Sequence, residues 1–216
     1  MVSSRKPGCS ACSLRRIHSK ESNSTSLLPK RFAMFEALLE KLGLALAAAQ
    51  LPYVIIGGQA VLLHGEPRLT KDVDVTLGID VDRLGEVLSL ATSIGLRSLV
   101  DPDSFVKETM VLPCEDPMTG IRVDFVFSFS AYEQEAIRRA VPVSIGRATL
   151  HFASVEDLLI QKIFAGRPRD LEDARVVAVK NPDFDRLYVE RWLTEFEAVA
   201  KVSLRERLRE ILRSNA

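Results

Sequence analysis

The stretch Tyr53-Val-Ile-Ile-Gly-Gly-Gln-Ala-Val-Leu-Leu-His-Gly-Glu-Pro-Arg-Leu-Thr-Lys-Asp-Val-Asp-Val75 decides how this chain is read. Tyr53 to Ile56 is a short apolar run bounded by Pro52 and by Gly57-Gly58, which predicts a buried strand. The glycine pair lets the backbone come close to a ligand and opens a short helix, Ala60 to His64. Free amides at the start of that helix suit an anion such as a phosphate. A loop with Arg68 and Thr70 follows, and then Lys71 to Leu77, where polar and apolar residues alternate. Val73, Val75 and Leu77 share one face of this strand, while Asp72, Asp74 and Thr76 share the other. Carboxylates two residues apart on a strand point the same way and repel each other unless a cation sits between them. A hard divalent ion such as Mg²⁺ takes carboxylate oxygens. An Asp-x-Asp alone is usually a solvated face, and a Gly-Gly alone is usually a turn. Their order within one short window favours a site for metal and phosphate.

A third acid lies further along. Ile121, Val123, Phe125 and Phe127 form one face of a predicted strand, and Asp124 stands on the other between Arg122 and Val126. A carboxylate inside a strand suited to burial is costly unless it is paired or bound to metal. Three acids on two neighbouring strands would suit a two-metal phosphoryl-transfer site. Lys162 is the next departure from pattern. On a helix from Val155 the inward stripe runs through Val155, Leu158 and Leu159 to positions 162 and 163, so Lys162 stands where an apolar residue is expected. A lysine there can snorkel to solvent; we read it instead as aimed into a cleft to meet a triphosphate. Asp170 and Asp173 open the following helix, where acids ordinarily serve the helix dipole.

The rest of the chain sets the frame. Lys and Arg number 29, as do Asp and Glu, so bulk charge predicts neither a nucleic-acid nor a membrane partner. No apolar run is long enough to span a bilayer. An odd count of three cysteines points to a reducing, cytoplasmic setting rather than a disulfide framework. Cys9 and Cys12, with His18 downstream, lack a second pair to close a zinc site. Residues 1–27 read as a disordered tail rich in Ser, Lys and Arg, and Met34 offers an alternative start. Helical spacing covers Arg31–Gln50, Asp80–Ile94 and Tyr132–Ala140. Val106–Leu112 and Ile121–Phe127 read as strands of a hairpin, and Ala148–Phe152 as a further strand. Ser154 followed by Asp157 resembles a capping box, and only helices follow it. The expected fold class is α+β: a mixed or antiparallel sheet flanked by helices over 28–152, then a helical C-terminal subdomain over 153–216. There is no P-loop and no Gly-x-Gly-x-x-Gly, and three histidines poorly support a His-dependent hydrolase.

The segment Gly57-Gly58-Gln-Ala…Arg68-Leu-Thr70-Lys-Asp72-Val-Asp74 resembles the signature of the DNA polymerase β-like nucleotidyltransferase superfamily. Asp157 with Lys162, and then Asp170-Leu-Glu-Asp173, look like later motifs of its AbiEii-type branch, which includes toxins of toxin–antitoxin systems. The resemblance implies a nucleotidyltransferase fold and a Mg²⁺-dependent transfer of a nucleoside monophosphate from an NTP to an acceptor hydroxyl. Asp72, Asp74 and Asp124 would hold two Mg²⁺ ions, with Asp124 assisting deprotonation of the acceptor. Gly57, Gly58, Arg68, Thr70 and Lys162 would hold the nucleotide phosphates, and Asp170 and Asp173 would support the site. The superfamily usually carries Gly-Ser after its first strand, and Gly57-Gly58 leaves no hydroxyl here. The acceptor stays open between a tRNA, a protein and a small molecule. The rival reading is a regulatory module of the same fold acting as toxin or antitoxin partner.

Overall fold

The computed structural model describes residues 27–66, 70, 72–128 and 130–213, with side chains from residue 33 onward. The expected tail, with Cys9, Cys12 and His18, lies outside the described residues, as does Arg68. In chain order the elements begin with α1 (Leu27–Ala48), β1 (Tyr53–Ile56), α2 (Gly57–His64) and β2 (Asp72–Leu77). A short turn of 3₁₀ helix, Val81–Arg83, precedes α3 (Leu84–Ser93), β3 (Arg97–Ser98), α4 (Pro102–Thr109) and β4 (Val111–Asp116). Then come β5 (Ile121–Phe127), α5 (Ala131–Arg138), β6 (Val141–Ile145) and β7 (Ala148–Phe152). Four helices end the chain: α6 (Val155–Ala165), α7 (Pro168–Lys180), α8 (Arg186–Ala200) and α9 (Leu204–Arg213).

The strands form one mixed sheet in the order β3-β4-β5-β2-β1-β7-β6. β2 runs parallel to β5 and antiparallel to β1, and β1 runs parallel to β7. The alternation in β2 and β5 decides which face is dry. Val73, Val75, Leu77, Val123, Phe125 and Phe127 are buried against Leu38, Leu42 and Leu46 of α1 and Val87 and Leu90 of α3. Burying such side chains contributes roughly 1.5–3 kcal/mol each, which fixes the register and forces Asp72, Asp74 and Asp124 onto the opposite face. On that opposite face a second apolar cluster joins Val54 of β1, Ala60 and Val61 of α2, and Tyr132 of α5 to the buried stripes of α6, α7, α8 and α9. Among the described residues no helix is long and apolar enough to cross a membrane.

Three elements differ from the sequence-based expectation. The run Val106–Leu112, read as a strand, is split between the end of helix α4 and the start of β4. Pro102 in the first turn starts the helix, and Met110 ends it in the left-handed region at φ 60°. The apolar alternation there is the seam between two elements. β3, two residues long, and β6 are both edge strands that were not foreseen. β6 is mostly exposed and carries Pro142, which an edge tolerates, so it lacks the burial pattern that marks an inner strand.

Candidate active site

The site is built where β1 turns into α2. Gly57 has φ +65°, a conformation that L side chains rarely adopt, and a Cβ there would collide with the Oδ2 atom of Asp74. Glycine at this position therefore lets helix α2 start against the carboxylate. Ile56 caps that helix without a side-chain hydrogen bond, leaving the first-turn amides to a ligand or to water. Gly58 is buried behind it. Gln59, buried at 5% exposure, donates its amide to the Thr70 hydroxyl and, at 3.4 Å, to the Asp72 carbonyl. One side chain thus ties the start of β2 to the first turn of α2.

The strand register brings the acids together. Ile56 pairs with Asp74 across β1 and β2, and Asp74 pairs with Asp124 across β2 and β5. Asp72 lies at the exposed end of β2, opposite Arg122. Burial, with the charges of Asp72 and Asp124 beside it, pushes the Asp74 carboxyl from its ordinary 3.8 up to about 6, and Lys162 and Arg122 offset only part of this. Asp124 receives an ion pair from Arg122, Nη2 to Oδ1 at 3.2 Å. Among the described residues no three His, Cys, Asp or Glu side chains are already gathered into a metal cage. The donor chemistry nevertheless suits a hard ion. The acids supply carboxylate oxygens, Asp74 is withdrawn from water among like charges, and among the described residues Asp124 is tied only to a half-exposed arginine.

Lys162 does not snorkel. Its side chain is buried, with Nζ 2.7 Å from Oδ1 of Asp170 and 2.9 Å from Oδ2 of Asp173. Those acids, one turn apart on α7, clamp α7 to α6 and aim a cation whose charge is felt at Asp74. Asp170 and Asp173 are thus more than acids of a first helical turn. Among the described residues the buried Oδ2 of Asp170 has no hydrogen bond.

Asp157 sits elsewhere. It is fully buried, accepts hydrogen bonds from the Ser154 hydroxyl at 2.8 Å and the Tyr188 hydroxyl at 2.9 Å, and has Arg139 Nε at 3.6 Å. It closes the capping box of α6 and pins α8 to it. His64 donates Nε2–H to the Ala153 carbonyl at 2.7 Å, which gives it a packing role. Two residues at the site escaped the sequence reading. Arg122 was visible only as a neighbour of Asp124, and Gln59 as an ordinary member of a short helix. The signal for each is a strand pairing or a loop contact that no local pattern encodes.

The fold is shared with solved structures. The solution structure of the antibiotic-resistance factor ANT(2'')-Ia matches with a TM-score of 0.54 at 18% identity, covering 77% of this chain and 92% of that one. The crystal structure of ANT(2'')-Ia in complex with adenylyl-2''-tobramycin matches with a TM-score of 0.53 at 19% identity, covering 76% and 98%. No curated protein sequence matches the chain. A family model described as nucleotidyltransferase of unknown function (DUF6036) matches residues 31–213, nearly the whole of the described chain. With that span covering the glycine turn, the three acids and the Lys162 clamp, the chain belongs to this nucleotidyltransferase family.

Proposed function

We propose that the chain transfers a nucleoside monophosphate from an NTP to an acceptor hydroxyl, with Mg²⁺ held by Asp72, Asp74 and Asp124. The observation that carries this reading is the in-register pair Asp74–Asp124 beside a glycine-opened helix start. Metal bound there would neutralise charge on the phosphates and orient them. The acceptor oxygen attacks the α-phosphorus, the bond from that phosphorus to the bridging oxygen breaks, and pyrophosphate leaves. Asp124 takes the proton of the acceptor hydroxyl. The first amides of α2, at Gly57 and Gly58, take phosphate oxygens. Thr70 accepts a hydrogen bond from Gln59, so its own O–H is free to donate to the nucleotide. Lys162 has three N–H donors and spends two on Asp170 and Asp173, which leaves one for a phosphate. Arg68, four residues before Asp72 in the sequence, would add a second cation. Positioning and fixed charge supply most of the acceleration, as is usual in phosphoryl transfer.

A small-molecule hydroxyl is the acceptor we favour, on the fold likeness to ANT(2'')-Ia, which was crystallised with adenylyl-2''-tobramycin. The test is incubation with each α-³²P-labelled NTP and Mg²⁺ in a cell extract, beside the Asp72→Asn variant, followed by separation of small molecules, RNA and protein. Label in the small-molecule fraction, with the unchanged protein alone, is the expected result. Label in RNA or protein would favour the AbiEii-type toxin reading with a tRNA or protein acceptor. Equal transfer by Asp72→Asn would overturn the assignment of the acids.

A further inference from the structure

The register carries one more row of charge. Asp72 of β2 lies opposite Arg122 of β5, which lies opposite Glu115 of β4, which lies opposite Arg97 of β3. Four alternating charges therefore cross four strands on the face that carries the acids. The pairing within this row is uneven. Arg97 reaches Glu115 at 3.7 Å, whereas Arg122 turns along its own strand to Asp124 at 3.2 Å. Among the described residues Arg122 is the one cation bonded to Asp72, Asp74 or Asp124, since Lys162 is held by Asp170 and Asp173. Its side chain is 51% exposed, which leaves the guanidinium room to turn. Glu115 of β4 is the cross-strand partner of Arg122 in the β4–β5 register, on the same face of the sheet.

We propose that Arg122 is a built-in counter-ion: it occupies the cation position at Asp124 and releases that carboxylate, turning to Glu115, when metal binds. This rests on the reading of Asp72, Asp74 and Asp124 as metal ligands. The physical case is competition. A guanidinium on Oδ1 takes a lone pair that a divalent ion needs and repels the ion as it arrives. Without metal the same guanidinium offsets part of the repulsion among three neighbouring acids. Arg122 is therefore a positioning residue for the acids and a toll on metal entry.

The experiment measures Mn²⁺ binding to the full chain without nucleotide, from the paramagnetic resonance signal of free Mn²⁺. The proteins are the unchanged chain and the variants Arg122→Gln, Arg122→Lys, Arg97→Gln and Asp74→Asn. Arg122→Gln should bind about three- to tenfold tighter, the scale of one partly solvated like charge removed beside a divalent ion. Arg122→Lys should fall between, and Arg97→Gln, which removes an equal charge from the same row, should change little. Melting curves give a second readout: Arg122→Gln should melt lower than the parent without metal and gain more from Mg²⁺. Unchanged or weaker binding by Arg122→Gln, or equal tightening by Arg97→Gln, overturns the counter-ion while the metal reading stands. No Mn²⁺ bound by either the parent or Arg122→Gln, with Asp74→Asn identical to both, overturns the metal reading and this inference with it.

Discussion

Asp74 and Asp157 are two aspartates withdrawn from water in one chain, and burial raises the carboxyl of each. Their surroundings differ in kind. Asp157 accepts hydrogen bonds from Ser154 and Tyr188, has Arg139 close by, and sits where α5, α6 and α8 meet. Asp74 takes no hydrogen bond among the described residues and faces Asp72 and Asp124 beside a glycine that leaves its oxygen room. A buried carboxylate with its lone pairs filled holds elements together. One left open among like charges costs stability, and a site that retains it does so for what the charge can bind.

The sharpest way to break this contrast is to neutralise each acid in turn. On the proposed reading, Asp74→Asn should lower nucleotidyl transfer by at least about a thousandfold, since a metal-holding carboxylate would act through its charge. It should leave the melting temperature unchanged or higher, because a repelled charge has gone. Asp157→Ala strands the Tyr188 and Ser154 hydroxyls and leaves Arg139 with a partner fewer, so it should cost about 3 kcal/mol and roughly 10 °C in Tm. Activity per folded molecule should survive in that variant at low temperature. Thermal melts beside single-turnover transfer decide it, and equal destabilisation by the two changes would erase the distinction.

The two acids were not equally legible in the sequence. The strand alternation around Asp74 tells which way it points, because Val73, Val75 and Leu77 must turn to the core. The capping pattern Ser154-x-x-Asp157 marks the start of α6 as plainly. Hidden were the long-range partners. Tyr188 lies 31 residues from Asp157, and nothing local in α8 announces that its hydroxyl turns inward. Lys162 was legible as an apolar position filled by a cation, but its clamp on Asp170 and Asp173 depends on the angle between α6 and α7, which one helix does not encode. Arg122 and Gln59 went unread for the same reason. Edge strands β3 and β6 were missed because half-exposed residues carry little periodicity, and α4 because a helix end meeting a strand start mimics a strand.

A second test titrates the contrast. In the folded chain Asp74 holds its proton more tightly than its ordinary 3.8, up to about 6, so the folded state binds more protons across that window. Stability is then highest below the ordinary value and is lost as pH rises through the folded one, by about 3 kcal/mol in total. Urea unfolding of the parent and Asp74→Asn at about pH 4 and pH 7.5 isolates this part. The variant should match the parent at the lower pH and exceed it at the higher. Mg²⁺ at the higher pH should close the gap by stabilising the parent. Asp157 is raised in the same direction, but its filled lone pairs pull the other way, so its variant should change the slope less.

Gln59 tests whether the contrast has a middle. Its amide is buried and satisfied, like the carboxylate of Asp157, yet it bonds the Thr70 hydroxyl and the Asp72 carbonyl at the edge of the site. Replacing it with leucine keeps the volume and removes the clip. Stability should fall by about 1 kcal/mol, the net worth of an ordinary hydrogen bond. With Thr70 in its proposed role at the nucleotide, losing this tie should raise KM for the NTP several-fold while kcat changes little. Thr70→Val should reproduce the rise in KM with less loss of stability, because the rest of the helix contact remains. A stability loss like that of Asp157→Ala with KM unmoved would put Gln59 among the purely structural groups and confine the site to its charges.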